Sequence, residues 1–173
     1  MKKIIIILIA LVMVLAITSC GQKEQKGFSE EDLVFVYNGE EFKLDSDVKP
    51  LIKSIGDGYE FSEAVSCAYT GMDKTYSYGD IDLYTYPLDS KDRIDEIYIM
   101  SNKYSTKKGI TVGSSLDDII VAYGENYTDL GGGMLVIAPE GMPEDTSSPC
   151  IYFIMQDGVV FEFSYYSASN RNS

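Results

Sequence analysis

The sequence predicts an α+β fold: two tandem helix-plus-antiparallel-sheet repeats, with the helices packed on one sheet face. Three observations predict it. Residues 46–59 (SDVKPLIKSIGDGY) and 114–127 (SSLDDIIVAYGENY) align without a gap. Each segment places apolar side chains at i, i+3, i+4 and i+7: Val48, Leu51, Ile52 and Ile55, then Leu116, Ile119, Ile120 and Tyr123. Each is followed by stretches that alternate in residue type and are punctuated by turn residues. A unit that cannot cover its own apolar face gains from a neighbour, which gives a doubled unit its reason.

The chain opens with Met1, Lys2 and Lys3, and residues 4–17 are an unbroken apolar run. A bilayer-spanning helix needs about 20 such residues, so the run suits a secretory signal better than a span. Ile17-Thr18-Ser19-Cys20 sets a branched apolar residue three before the cysteine and a small residue just before it, as in the lipobox of bacterial lipoproteins. These features predict a lipoprotein signal peptide over residues 1–19 and a diacylglycerol on Cys20. The chain is therefore expected outside the cytoplasm, lipid-anchored to the bacterial cell membrane. Two acyl chains anchor stably, at ~0.8 kcal/mol per buried CH₂. Residues 20–32, polar and without period, read as a flexible tether. Residues 33–168 read as one globular domain of two repeats, about 33–103 and 104–168, and residues 169–173 as a frayed tail.

Within that domain, Asn38-Gly39 predicts a hairpin between 34–37 and 40–44. The first helix tolerates Pro50 because it falls in the first turn, and it stops at Gly56. The second is expected to be capped by Ser114 with Asp117 and to stop at Gly124. Residues 76–86 read as one strand kinked at Gly79, returning as 94–101 after a turn at 89–92. Alternation sends Ile81, Leu83, Thr85, Ile97 and Ile99 to the core. It sends Asp82, Tyr84, Tyr86, Glu96, Tyr98 and Met100 outward. Residues 150–156 and 159–166 form a hairpin about Asp157-Gly158. That turn sets Ile154 against Phe161, Tyr152 against Phe163 and Cys150 against Tyr165, with this face in the core.

Composition narrows the chemistry. The 173 residues carry a formal charge of −13 and contain no His. Ser-His-Asp and Cys-His groups and His-ligated metals are excluded. Nucleic-acid binding needs clustered Lys and Arg, so this acidity argues against it, as it does against flat adsorption onto anionic lipid. Asp80, Asp82, Asp89, Asp92 and Asp95 lack the spacing of a calcium loop. Gly131-Gly132-Gly133 has no following Lys-Ser/Thr and reads as a turn. No catalytic, metal or cofactor-binding residue is predicted, and the chain is not expected to be an enzyme.

Cys67 and Cys150 are the thiols left once Cys20 is lipidated. Outside the membrane they either form a disulfide, worth ~4–5 kcal/mol in the chain-entropy model, or remain reduced and packed. Tyrosine is the composition's distinguishing residue, at 14. A sheet face bearing Asp82, Tyr84, Tyr86, Glu96, Tyr98 and Met100 suits recognition, since Tyr gives large contact area at low entropy cost. Tyr is also a good strand former that half-buries itself. Residues 139–149, with three prolines, read as a binding loop or a surface insertion.

Gly109-Ile110-Thr111-Val112-Gly113, Val121-Ala122-Tyr123-Gly124 and residues 66–79 (SCAYTGMDKTYSYG) resemble motifs of an uncharacterised family of Gram-positive envelope lipoproteins. The plan of a short helix ending in Gly before antiparallel strands is similar to the beta-lactamase-inhibitor-protein-like fold. The resemblance implies that fold and a partner-binding sheet face, without implying lactamase inhibition. The expected function is a lipid-anchored binding module for a protein or cell-wall component. The alternatives are a structural or assembly subunit of an envelope complex, and a carboxylate-based hydrolase.

Overall fold

Strand dominates the protein. The computed structural model describes residues 27–139 and 147–169. A 3-10 turn at Glu30–Asp32 leads into β1 (Val34–Tyr37) and β2 (Glu40–Lys43), which form a two-stranded sheet. Asn38 and Gly39 close it with φ of 50° and 82°, the left-handed pair that a two-residue hairpin turn requires. The α1 helix (Lys49–Ile55) precedes β3 (Glu60–Val65), β4 (Met72–Ser77), β5 (Ile81–Leu88) and β6 (Lys91–Ile99). The α2 helix (Leu116–Tyr123) precedes β7 (Thr128–Gly131), β8 (Met134–Ile137), β9 (Cys150–Gln156) and β10 (Val159–Tyr166).

Strands β3 to β10 build one antiparallel sheet in the order β3-β4-β5-β6-β10-β9-β8-β7. This corrects the predicted fold class: among the described residues the protein is mostly β, with 47% strand and 14% helix, rather than two helix-plus-sheet repeats. The decisive pairing is β6 with β10, running from Ile99 opposite Phe163 to Glu96 opposite Tyr166. Two separate four-stranded sheets would each leave a row of backbone donors and acceptors open there; joining them satisfies both rows.

Both helical stripes are buried. Val48, Leu51, Ile119 and Tyr123 enter a single core with Leu83, Ile97, Ile99, Phe153 and Phe163, and the β1–β2 hairpin adds Phe35 and Phe42. The cap of α2 lies one residue later than expected. Ser115 Oγ accepts from the Asp118 amide at 3.2 Å, and Asp118 Oδ2 accepts from the Ser115 amide at 2.8 Å. Ser114 Oγ instead accepts from the Thr111 amide at 3.1 Å, in the turn before the helix.

Three strand expectations also change. Gly79, at φ 80°, turns the chain rather than kinking a strand, so residues 76–86 are split between β4 and β5. Asp89 and Ser90 alone make the β5–β6 turn, with Leu88 opposite Lys91. Most consequentially, Phe161 is extra to the β9–β10 pairing: Val160 pairs with Met155, and Glu162 with Ile154. A bulge inserts one residue and flips every side chain beyond it to the other face. Ile151, Phe153, Phe163 and Tyr165 therefore fill the core. Ile154 and Tyr152 do not.

Candidate binding face

The core and both helices lie on one side of the sheet, and register defines what the other side presents. Ser77, Asp82, Tyr98, Ser164, Tyr152 and Val136 form one row across β4, β5, β6, β10, β9 and β8. Thr75, Tyr84, Glu96, Tyr166 and Cys150 form the next. Asp82, Tyr84, Glu96, Tyr98, Tyr152 and Glu162 are all half-buried, whereas Ser164, Tyr166, Cys150 and Val136 in the same rows are buried.

The chemistry of this face is phenol among carboxylates. Ser77 Oγ donates to Asp82 Oδ1, and the Tyr84 hydroxyl lies 3.5 Å from Asp82 Oδ2. Burial raises the Tyr84 phenol above its usual value, and the charges of Asp82 and Glu96 raise it further. Burial likewise raises Tyr98, helped by its hydrogen bond to Glu162 and by the Glu162 charge. Both phenols stay protonated at neutral pH. The face thus offers flat aromatic area, O–H donors and anionic acceptors, a combination that holds apolar, sugar or cationic groups.

Five of the six predicted face residues lie here or beside it. Asp82, Tyr84, Glu96 and Tyr98 are adjacent in register, and Met100 follows the end of β6. Tyr86 is the correction. It is 2% exposed, its hydroxyl donates to Asp45 Oδ1 at 2.8 Å, and its ring stacks on Tyr69 at 4.9 Å. Asp95 is the cause of the local irregularity. Tyr84 pairs with Glu96 and Thr85 with Ile94, so Asp95 bulges between them. Residues 167–169 also cover this end: Tyr69 donates its hydroxyl to the Ser169 carbonyl at 3.1 Å.

Tyr152, expected in the core, lies on this side of the sheet, together with Glu162 and Tyr166, which the hairpin register sends away from the core but which were not singled out as binding residues. The signal in the sequence is Val159-Val160-Phe161, three apolar residues in a row that break the alternation of β10, and in the structure Phe161 is 53% exposed. A small apolar cluster of Val136, Cys150, Tyr166 and Ala168 borders the face at β8 to β10. Cys150 is buried in that cluster, whereas Cys67 is exposed beyond β3. The structure forms no disulfide between them. Cys20 lies outside the described residues, as do residues 140–146 of the proline-rich loop.

The strand-turn acids are balanced by cations. Lys103 binds Asp80, Arg93 Nη2 reaches Asp89 Oδ2 at 3.4 Å, and Lys74 Nζ is 3.0 Å from Asp92. Among the described residues, no group of three or more His, Cys, Asp or Glu is placed to hold a metal ion. Among them, too, no helix is long and apolar enough to cross a membrane.

No protein-family model and no curated protein matches the chain. Among solved structures it is similar to the uncharacterized protein yfeY from Escherichia coli, at a TM-score of 0.39 and 10% identity. That match covers 72% of this chain and 92% of the other.

Proposed function

We propose that the chain is a lipid-anchored, extracytoplasmic binding module that holds a protein or cell-wall component on the open face of its sheet. Catalysis is not part of this reading. The observation that carries it is the half-buried register block of Asp82, Tyr84, Glu96, Tyr98, Tyr152 and Glu162. The lipobox at Ile17-Thr18-Ser19-Cys20 supports the anchor and the location.

The test uses the full chain, purified in detergent, with isolated cell-wall sacculi and a solubilised envelope fraction as baits. Substituting Tyr84→Ala and Tyr98→Ala together should abolish retention on one of them while the melting transition shifts by only a few degrees. Retention unchanged by the pair removes the face as the binding surface. Cys20→Ala should move the protein out of the membrane fraction; continued membrane retention would remove the anchor.

A further inference from the structure

The two edges of the eight-stranded sheet are unlike. At one edge, β7 has four residues, a register shift between Asp129 and Gly131, and Gly132 and Gly133 immediately after it. Short length, a bulge and glycines blunt an edge against further pairing. At the other edge, β3 has six residues and pairs with β4 in unbroken register from Glu60 opposite Ser77 to Val65 opposite Met72. All six residues are exposed, and none is Pro, Lys or Arg. Phe61 at 50% and Val65 at 76% exposure stand on this strand. Among the described residues, nothing pairs with its outer side.

The charges say which strand fits. Glu60 and Glu63 are the only ionisable side chains of β3. Lys74 faces Glu63 across the pair, but its ammonium is committed to Asp92 at 3.0 Å. Behind the strand, a groove of about 370 Å³ is lined by Glu63, Asp73, Asp95 and Glu96 with Tyr84, and by Lys74 as its single cation. Asp73 Oδ1 is buried there with no hydrogen-bond donor. A second copy of this chain, with its formal charge of −13, would bring one acidic edge against another and supply no excess of cations for Glu60 and Glu63.

We infer that β3 is a strand-addition site for an extended, lysine- or arginine-bearing segment of a partner protein. Main-chain hydrogen bonds supply the pairing. Cations opposite Glu60 and Glu63 and apolar residues opposite Phe61 and Val65 supply the selectivity. The groove behind this edge shares Tyr84 and Glu96 with the open face, but the edge is read from exchange at 60–65 and the face from Tyr84→Ala with Tyr98→Ala, so the failure of one is distinguishable from the failure of the other.

The test titrates the full chain in detergent with the peptide acetyl-VTKTVK-amide. In antiparallel pairing it sets Val against Val65 and Phe61, and Lys against Glu63 and Glu60. The expected result is saturable binding with slowed amide hydrogen exchange confined to alternate residues of 60–65. The same peptide N-methylated along one edge, and a version with Glu replacing both Lys, should not bind. Glu60→Gln with Glu63→Gln should weaken binding about tenfold, as two exposed ion pairs would, with the melting transition unchanged. Absence of binding, equal binding by the N-methylated peptide, or protection elsewhere overturns the proposal. A concentration-dependent dimer protected at 60–65 without peptide overturns the choice of occupant.

Discussion

Ser167 ties the C-terminal segment to the β6 bulge twice over. Its Oγ donates to Asp95 Oδ1 at 2.7 Å, and its amide donates to the Asp95 carbonyl at 2.8 Å. A bulge leaves a residue without a ladder partner, and here a residue 72 positions along the chain supplies the missing contact. Because Asp95 and Ser167 are both buried, Ser167→Ala strips a donor from a carboxylate that is only 9% exposed. It should cost ~1–3 kcal/mol in urea unfolding. A loss below a few tenths would mean that other contacts hold this end.

The two tyrosines of β5 that alternation treats alike should behave differently. Tyr86→Ala removes a buried ring, its stack on Tyr69 and its bond to Asp45, and should cost ~3–5 kcal/mol. Tyr84→Ala, on the open face, should cost no more than ~1.5 kcal/mol. Equal costs in denaturant melts would contradict the placement of both.

Phe161 and Phe163 offer the same contrast across the β10 bulge. Phe161→Ala should change stability by less than ~0.5 kcal/mol, because the residue lies outside the pairing and faces water. Phe163→Ala opens the core and should cost ~3–5 kcal/mol. Equally large costs at both positions would restore the register expected from the turn alone.

The α2 cap gives a pH signature. Hydrogen bonds from the Ser115 amide and hydroxyl hold Asp118 below its usual 3.8. A depressed carboxyl contributes stability above its unfolded value and loses it as pH falls through its folded value. The wild type should therefore exceed Asp118→Asn in stability at pH 5 to 7. The gap should close as the pH drops below about 3.8, read by thermal melts across the range. A gap that does not change with pH would show that charge plays no part.

Alkaline titration separates the phenols. Burial, with the charges of Tyr59 and Asp57, pushes Tyr78 up to about 12, and burial pushes Tyr86, Tyr98, Tyr123 and Tyr165 higher still. Raised phenols contribute stability that is intact below their unfolded value near 10 and is lost as pH climbs past it. Absorbance of the phenolate should show these groups ionising together with unfolding rather than before it. Full ionisation of a folded protein near pH 10 would contradict their burial.

What was legible in the sequence was periodic. The stripes at 48–55 and 116–123 announce helices because a face with 3.6-residue spacing has to be buried, and the glycines at 56 and 124 stop them with φ of 110° and 90°. Asn38-Gly39 and Asp157-Gly158 announce their turns because few residues accept φ above zero. What was illegible lacked a period. Strand β3 is exposed throughout, so its sequence EFSEAV carries no alternation to read. The bulge at Phe161 shifts the pattern by one and brought Tyr152 out, while Tyr86, in step with Tyr84 along β5, is buried by its stack on Tyr69 and its bond to Asp45. The joining of β6 to β10 is a long-range pairing that no local signal encodes, and it is what turns the expected two units into one sheet.

The open face is tested most directly by photo-crosslinking in intact cells, with a photoreactive phenylalanine at position 98 and, as the control, at Val121, which is 80% exposed on α2. The account predicts one discrete adduct, to a protein or to cell-wall material, from position 98 and none from position 121. Adducts from position 121 alone, or from neither position, would contradict it.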